Sequence, residues 1–114
     1  MEGITLDKIV TEIAKDGGDI PAHVLRNYLG FCTSELSRIT VRYATAEVTY
    51  RKRYCEISEA GISSSLARIR SKATDEYEAL VKAEQLKKYI SEMIQSIKKM
   101  LQSKMDEYHD HGGL

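Results

Sequence analysis

Apolar residues recur at steps of four and three along residues 25–57, and this repeat constrains the fold more than any other feature of the sequence. Its members are Leu25, Leu29, Cys32, Leu36, Ile39, Tyr43, Ala46, Tyr50, Tyr54 and Ile57. Such a repeat holds one narrow face of a helix against a neighbouring helix, as in coiled coils. We therefore predict one long helix over residues 20–59, with Pro21, the only proline, in its first turn and Asp19 as its cap.

A β-hairpin is the competing interpretation of the middle of this segment. Residues 39–43 and 48–50 are rich in β-branched and aromatic side chains, and residues 44–46 would form the turn. Two observations favour the helix: the apolar repeat continues without a change of phase, and no glycine or asparagine supplies the turn. We predict a helix throughout.

A short helix is predicted over residues 5–15. Its apolar side chains share one helical face, and Thr5 can cap its start. The pair Gly17-Gly18 ends this helix, because glycine tolerates the left-handed conformation found at helix C-termini.

The third helix is predicted over residues 63–108, followed by a flexible tail, residues 109–114. Gly61 permits the chain to reverse after the second helix, and the serines that follow offer caps. Beyond Leu86 the apolar face widens enough to contact more than one neighbour. We expect this end to pack with the first helix and the start of the second, and to leave apolar surface for a second subunit.

These elements define an all-α fold: a long antiparallel helical hairpin with a short N-terminal helix, in a single domain spanning residues 1–114. Helices of about 40 and 46 residues would be about 60 and 69 Å long at 1.5 Å per residue, which is too long for one compact core. We therefore expect a homo-oligomer, a dimer or larger, assembled through the wide face of the third helix.

Composition and cysteines indicate the compartment. The chain is 42% hydrophobic and 30% charged, no apolar run approaches the length of a membrane span, and no signal pattern opens the sequence. Cys32 and Cys55 stand 23 positions apart on one predicted helix, whereas a disulfide needs Cα atoms within about 7 Å. We interpret both as packing thiols in a reducing environment and predict a cytoplasmic protein without a membrane partner.

The sequence carries no motif of catalysis and no strong motif of metal binding. It contains no P-loop, no dinucleotide fingerprint, no paired-cysteine zinc motif and no converging Ser-His-Asp set. The histidines of the tail, His109 and His111, form a weak metal motif, because a glycine-flanked segment is not preorganised. We predict neither an enzyme, nor a cofactor, nor a metal site.

The charge of the chain is balanced overall but unevenly placed. Seventeen basic and seventeen acidic residues give a net charge of zero, which argues against a protein that coats nucleic acid. Residues 38–72, however, carry eight basic and three acidic residues, a local net charge of +5. Reversal at Gly61 would bring these basic side chains beside the start of the third helix, where free N–H groups favour an anion.

We predict a site for a phosphate-bearing ligand at this end of the hairpin. Arginine forks bind phosphate through two parallel hydrogen bonds, and tyrosines stack on bases. The candidates are Arg51, Arg53, Arg68, Arg70 and Lys72 for phosphate, Ser63 and Ser64 for contacts at the helix start, and Tyr50 and Tyr54 for stacking.

A plainer interpretation of the same residues stays open. The basic end of the hairpin would pair with the acidic end of another subunit, or locally with Glu56 and Glu59. The tyrosines would then be packing residues of the helical seam. The sequence does not decide between these interpretations.

The later part of the chain resembles short helical-hairpin proteins encoded by tailed phages and prophages. The resemblance covers residues 46–108 and rests on the residues Ala46, Tyr50, Tyr54, Ser58-Glu59-Ala60-Gly61, Ala67, Lys72-Ala73 and the closing helix from Leu86 to Tyr108. It implies a phage protein acting in the host cytoplasm, as a non-catalytic sponge for a nucleotide signal of host immunity. The alternative that it implies is a recombination or nucleic-acid accessory, or an inhibitor that docks onto a host protein. It carries no residue roles.

Overall fold

The computed structural model describes residues 3–16 and 19–112, with side chains described as far as residue 107. Four helices account for 87% of the described residues, and no strand occurs among them. The helices are α1 (Leu6–Asp16), α2 (Ala22–Ser58), α3 (Ser64–Ser71) and α4 (Asp75–Gly112). The all-α prediction is confirmed, and residues 39–50 lie within α2 rather than in a β-hairpin.

The start of α2 differs from the prediction. The helix begins at Ala22, and the carbonyl oxygen of Pro21 accepts hydrogen bonds from the N–H groups of Val24 and Leu25. Proline disfavours the helical conformation in the residue before it, so Ile20 cannot belong to the helix and Asp19 is too far back to cap it. At the other end of the loop, the predicted break at Gly17-Gly18 lies outside the described residues.

The predicted third helix is wrong as a single element, because Lys72, Ala73 and Thr74 separate α3 from α4. The Thr74 hydroxyl donates to the Ser71 carbonyl over 2.7 Å and accepts from the Tyr77 N–H over 3.3 Å, so Thr74 caps α4. Asp75 follows in the first turn, where a carboxylate favours the start of a helix. The Lys72 N–H still bonds to the Arg68 carbonyl four residues back, whereas the N–H groups of Ala73 and Thr74 bond to carbonyls only three residues back, which interrupts the α-helical pattern.

Two compact units divide the chain: Met1–Glu35 with Ile90–Leu114, here called unit 1, and Leu36–Tyr89, called unit 2. Helices α2 and α4 contribute to both. The prediction of a single domain stays a prediction.

Unit 1 packs α1 against the first part of α2 and the later part of α4. Its buried side chains are Ile9, Ile20, Leu25, Tyr28, Cys32, Ile90, Met93, Ile94 and Ile97. The Cys32 and Met93 sulfur atoms lie 3.6 Å apart within this core, and both cysteines of the chain are free thiols, with Cys55 exposed. The wide apolar face predicted for self-association is therefore partly covered inside unit 1: Ile90, Met93, Ile94 and Ile97 are buried, whereas Met105 is 50% exposed.

Tyr28 ties α2 to α1, because its hydroxyl donates a hydrogen bond to the Glu12 carboxylate. Burial raises the pKa of Tyr28 to about 12, and the hydrogen bond to Glu12 and the negative charges of Glu12 and Asp16 act in the same direction. The phenol stays protonated at neutral pH and holds α1 in place.

Tyr28 therefore makes the stability of unit 1 sensitive to alkaline pH. Because its pKa in the folded state lies above the ordinary value of 10.0, its contribution is complete below pH 10 and is lost as the pH rises through about 12. We expect Tyr28→Phe to lower the free energy of unfolding by about 1 kcal/mol at neutral pH.

The measurement is urea denaturation of both proteins at a series of pH values, with the exposed Tyr89→Phe as the matched control. The stability advantage of the native chain over Tyr28→Phe should be constant up to pH 10 and shrink above it. An advantage that does not change over this range would contradict the assigned role of Tyr28.

Candidate ligand-binding site

The loop between α2 and α3 sets where the predicted site residues of α3 lie relative to those of α2. Gly61 has a positive φ of 78°, a conformation that favours glycine, so the predicted reversal is confirmed at this residue. Ser63 follows in an extended conformation and caps α3, its hydroxyl oxygen accepting from the Leu66 N–H over 3.2 Å. The hydroxyl of Ser63 is thus used within the helix start.

Two small residues anchor α3 to the rest of unit 2. Ala67 and Ser71 lie one turn apart and are the buried residues of α3. The Ser71 hydroxyl donates to the Arg68 carbonyl over 2.8 Å, and Tyr50 of α2 lies 2.9 Å from the same serine oxygen. Since the serine proton points to Arg68, the Tyr50 hydroxyl donates to Ser71. This part-buried hydrogen bond fixes which face of α3 points inward.

The predicted stacking tyrosines belong to a packed aromatic cluster. The centroid of the Tyr50 ring lies 6.4 Å from the centroid of the Tyr54 ring and 5.4 Å from that of Tyr77. In both pairs the ring planes are inclined to each other by about 50°. All three rings are half-buried. Tyr50 is thus committed to packing and to Ser71, while Tyr77, which the sequence analysis did not select, lines a groove beside Lys72.

The two predicted arginines on α2 form local ion pairs. Arg51 lies 2.5 Å from Glu47, and Arg53 lies 3.0 Å from Glu56. The side chains remain largely exposed, and ion pairs of this kind contribute little to stability. The local pairing considered in the sequence analysis thus occurs for Arg53.

The predicted cations of α3 are arranged differently. Arg68, Arg70 and Lys72 are exposed, and within the described part of the chain none of them forms an ion pair. Ser64, Arg68 and Lys72 follow one another at steps of four residues, which places them on one side of the helix, here called the α3 stripe. Lys72 keeps a right-handed helical backbone at the C-cap, so the spacing holds to the end.

An open groove of about 470 Å³ adjoins the α3 stripe and shares Lys72 with it. Its walls come from the α3–α4 connection and the first three turns of α4, and include Tyr77, Val81 and Lys82. Lys82 lies 2.8 Å from Glu78, and the hydrogen bond from Lys82 lowers the pKa of that carboxyl group. Volumes of about 300 to 1,000 Å³ are typical of small-molecule sites.

A second groove, of about 430 Å³, lies between α2 and the start of α4. It contains the cation Arg42 and the carboxylates Asp75 and Glu76, and the sequence analysis predicted no role for any of them. Residues 42 and 75 are 33 positions apart, so no local motif signals their approach. Only the packing of α4 along α2 brings them to one groove.

The described part of the chain contains neither a cluster of metal ligands nor a membrane-spanning helix. No group of three or more His, Cys, Asp or Glu side chains there lies close enough to hold a metal ion. The histidines of the tail, which form the weak metal motif, lie outside the described side chains. Likewise, none of the described helices is both long and apolar enough to cross a membrane.

Comparison with known proteins finds no matching family model, no matching curated protein and no matching solved structure.

Proposed function

We propose that this chain is a non-catalytic binding protein that captures a small phosphate-bearing ligand on the α3 stripe of unit 2. The observation that carries the proposal is the alignment of Ser64, Arg68 and Lys72 on one exposed side of α3, with no carboxylate paired to either cation among the described residues. Because Arg68 and Lys72 are not paired with a carboxylate of the chain, no existing ion pair has to break before they bind an anion.

The chemistry of the α3 stripe suits a phosphate group. Helical side chains slope towards the N-terminus of their helix, so in this proposal one phosphate is shared by the Arg68 guanidinium and the hydroxyl and backbone N–H of Ser64, one turn earlier. A guanidinium offers two parallel hydrogen bonds to a phosphate, and a helix start adds backbone donors and a favourable dipole. Lys72 supplies a second positive charge one turn further on.

The groove beside Lys72 suits the rest of a nucleotide. A ligand whose phosphate lies on Arg68 and Lys72 extends into the groove lined by Tyr77 and Val81. An aromatic ring and an aliphatic side chain favour a planar base over bulk water. In this proposal Tyr77 takes the place of Tyr50 as the residue that contacts the base.

The remaining predicted residues take supporting roles. Arg68 and Arg70 flank the buried face of α3 on its two sides, so Arg70 lies off the α3 stripe and adds positive charge nearby. Arg51 and Arg53 bind phosphate only if they leave Glu47 and Glu56, an exchange that costs little for exposed ion pairs. The resemblance to phage proteins makes a nucleotide signal of host immunity the first ligand to test.

A small ligand fits the charge distribution better than a long polyanion. Unit 2 carries eleven basic and seven acidic residues, a net charge of +4, and the remainder of the chain carries the compensating −4. Within unit 2, Asp75, Glu76 and Glu78 occupy the first turn of α4, directly after the α3 stripe. A long strand would run past all three carboxylates, whereas a nucleotide in the groove meets only Asp75 and Glu78, and Glu78 is already paired with Lys82.

The proposal is tested by isothermal titration calorimetry of the whole protein with inorganic phosphate, ATP, cyclic dinucleotides, cyclic trinucleotides and a long single-stranded DNA. We expect saturable binding of at least one nucleotide, with modest salt dependence. Preference for the DNA, with affinity falling steeply as salt rises, would instead indicate a nucleic-acid accessory.

Docking onto another protein is the second candidate function, and one observation favours it. Ile69 is 68% exposed between Arg68 and Arg70, and Leu66 lies exposed one turn earlier. Apolar residues flanked by arginines are typical of protein contact surfaces. A chain that binds none of the phosphate compounds, but loses capture of a host protein when Ile69 is replaced by lysine, would establish this function instead.

A further inference from the structure

The outward face of α2 in unit 2 carries an uncharged surface. Val41 is 68% exposed and Val48 is 52% exposed, and Thr45 lies between them on the same side of the helix. Valine and threonine are weaker helix formers than alanine, leucine or lysine, so helix formation does not explain their presence here. Large apolar side chains left in water at helical spacing indicate a surface that packs against another helix.

The threonine hydroxyls of this face donate hydrogen bonds within the helix rather than to water. The Thr45 hydroxyl donates to the Val41 carbonyl over 3.1 Å, and the Thr49 hydroxyl donates to the Thr45 carbonyl over 2.9 Å. Because each donor is already used within the helix, covering these residues leaves no hydroxyl proton without a partner.

The adjoining groove of about 430 Å³ has opposite charges at its two ends. Tyr43 lies beside Lys87 and Tyr50 lies beside Tyr77, so α2 and α4 run antiparallel here. As a result, Asp75 and Glu76 lie at the end of the groove beyond Thr49, and Arg42 lies at the opposite end. The floor between them contains Ala46 and Ala79. Among the described residues, neither Arg42 nor either carboxylate has an ion-pair partner.

This charge arrangement is complementary to itself. A two-fold axis through the middle of the surface, near Thr45, exchanges its two ends. It brings Arg42 of one copy to Asp75 and Glu76 of the other, and Val41 of each copy near Val48 of the other. Contacts in which the same surface serves both copies are the commonest in protein dimers.

We propose that a second copy of this chain packs here, with α2 antiparallel to α2 and two symmetric sets of Arg42–carboxylate ion pairs. The surface is distinct from the α3 stripe. It is also distinct from the wide apolar face of α4, through which the sequence predicts self-association. It is small, so the dimer is of the weak, concentration-dependent kind.

The test uses two variants with reversed charge, Arg42→Glu and the double variant Asp75→Lys with Glu76→Lys. Sedimentation velocity and native mass spectrometry of the native protein should give twice the 12.9 kDa chain mass as the concentration rises. In either variant alone, like charges oppose each other twice across the axis. We expect the dissociation constant of each to rise at least about tenfold.

Mixing the two variants in equal amounts restores opposite charges at both ends of the surface. We expect a mixed dimer of about native affinity, made of one chain of each variant, which requires both variants to be folded. Lys88→Glu, which changes the charge as much as Arg42→Glu does but at another exposed site of α4, should leave the native dimer unchanged. Val41→Ser with Val48→Ser tests the apolar part separately and should also raise the dissociation constant.

A native protein that stays monomeric at millimolar concentration would overturn the proposal. So would a dimer that persists unchanged in both charge-reversal variants and in the double serine variant. Failure of the mixed variants to associate, with both folded by circular dichroism, would overturn the antiparallel arrangement.

Discussion

Replacing Arg68 and Lys72 together by glutamate should weaken binding of the phosphate-bearing ligand at least about a hundredfold and leave the helical content unchanged. Hydrogen bonds to charged groups contribute about 1.5 to 3 kcal/mol each, and each factor of ten in affinity corresponds to about 1.4 kcal/mol. Two such contacts are lost, and two negative charges then oppose the phosphate. Both side chains are exposed, so the fold does not depend on them.

Isothermal titration calorimetry measures this loss, and circular dichroism checks the helices. The matched control is Lys98→Glu with Lys99→Glu, which changes the net charge equally at exposed positions of unit 1 and should keep native affinity. Arg51→Glu with Arg53→Glu should have a smaller effect, because the two guanidinium groups are already paired with Glu47 and Glu56. Native affinity in the Arg68 and Lys72 variant would remove the α3 stripe as the site.

Replacing Ile97 by alanine should destabilise the protein by about 2 to 5 kcal/mol, because it empties space in the core of unit 1. Ile97 has no solvent exposure. Domains of this size are stable by only about 5 to 15 kcal/mol, so the variant should unfold at a clearly lower urea concentration.

Ile69→Ala is the matched control for this change, because it removes the same atoms from a side chain that is 68% exposed. Its free energy of unfolding should stay within about 0.5 kcal/mol of the native value. Equal losses in the two variants, measured by urea denaturation, would contradict the assignment of core and surface.

The sequence predicts the helices where one local signal dominates. The four-three repeat of residues 25–57 identifies α2 in spite of its β-branched segment, since packing of a continuous face outweighs weak helix propensity. Thr5 and Ser63 each cap a helix through a bond to a nearby N–H, and Gly61 has the positive φ that the reversal needs. These signals depend only on neighbours in sequence.

The break between α3 and α4 was missed because no glycine or proline marks it. Thr74 hydrogen-bonds both to the Ser71 carbonyl and to the Tyr77 N–H, but a threonine alone does not mark a helix start, since Thr40 and Thr45 lie inside α2. A usable signal was present in the acidic residues Asp75, Glu76 and Glu78, which are typical of a first helical turn.

The site was predictable in its charges but not in its partners. The excess of basic residues at the turn end of the hairpin is a property of the sequence, whereas the pairing of Tyr50 with Ser71 depends on how α3 packs. For the same reason the sequence does not distinguish Arg51, paired with Glu47, from Arg68, which has no ion-pair partner among the described residues. The spacing of four residues from Ser64 to Arg68 to Lys72 is evident in the sequence. It indicates an exposed stripe only when Ala67 and Ser71 are known to form the buried face of α3.

Native mass spectrometry of the protein taken directly from the cells that produce it tests the central claim most directly. The account predicts the 12.9 kDa chain, or its dimer, carrying a small phosphate-bearing molecule that is absent from the variant Arg68→Glu with Lys72→Glu. The same molecule retained equally by that variant would contradict the account, and so would a ligand-free chain that binds none of the phosphate compounds.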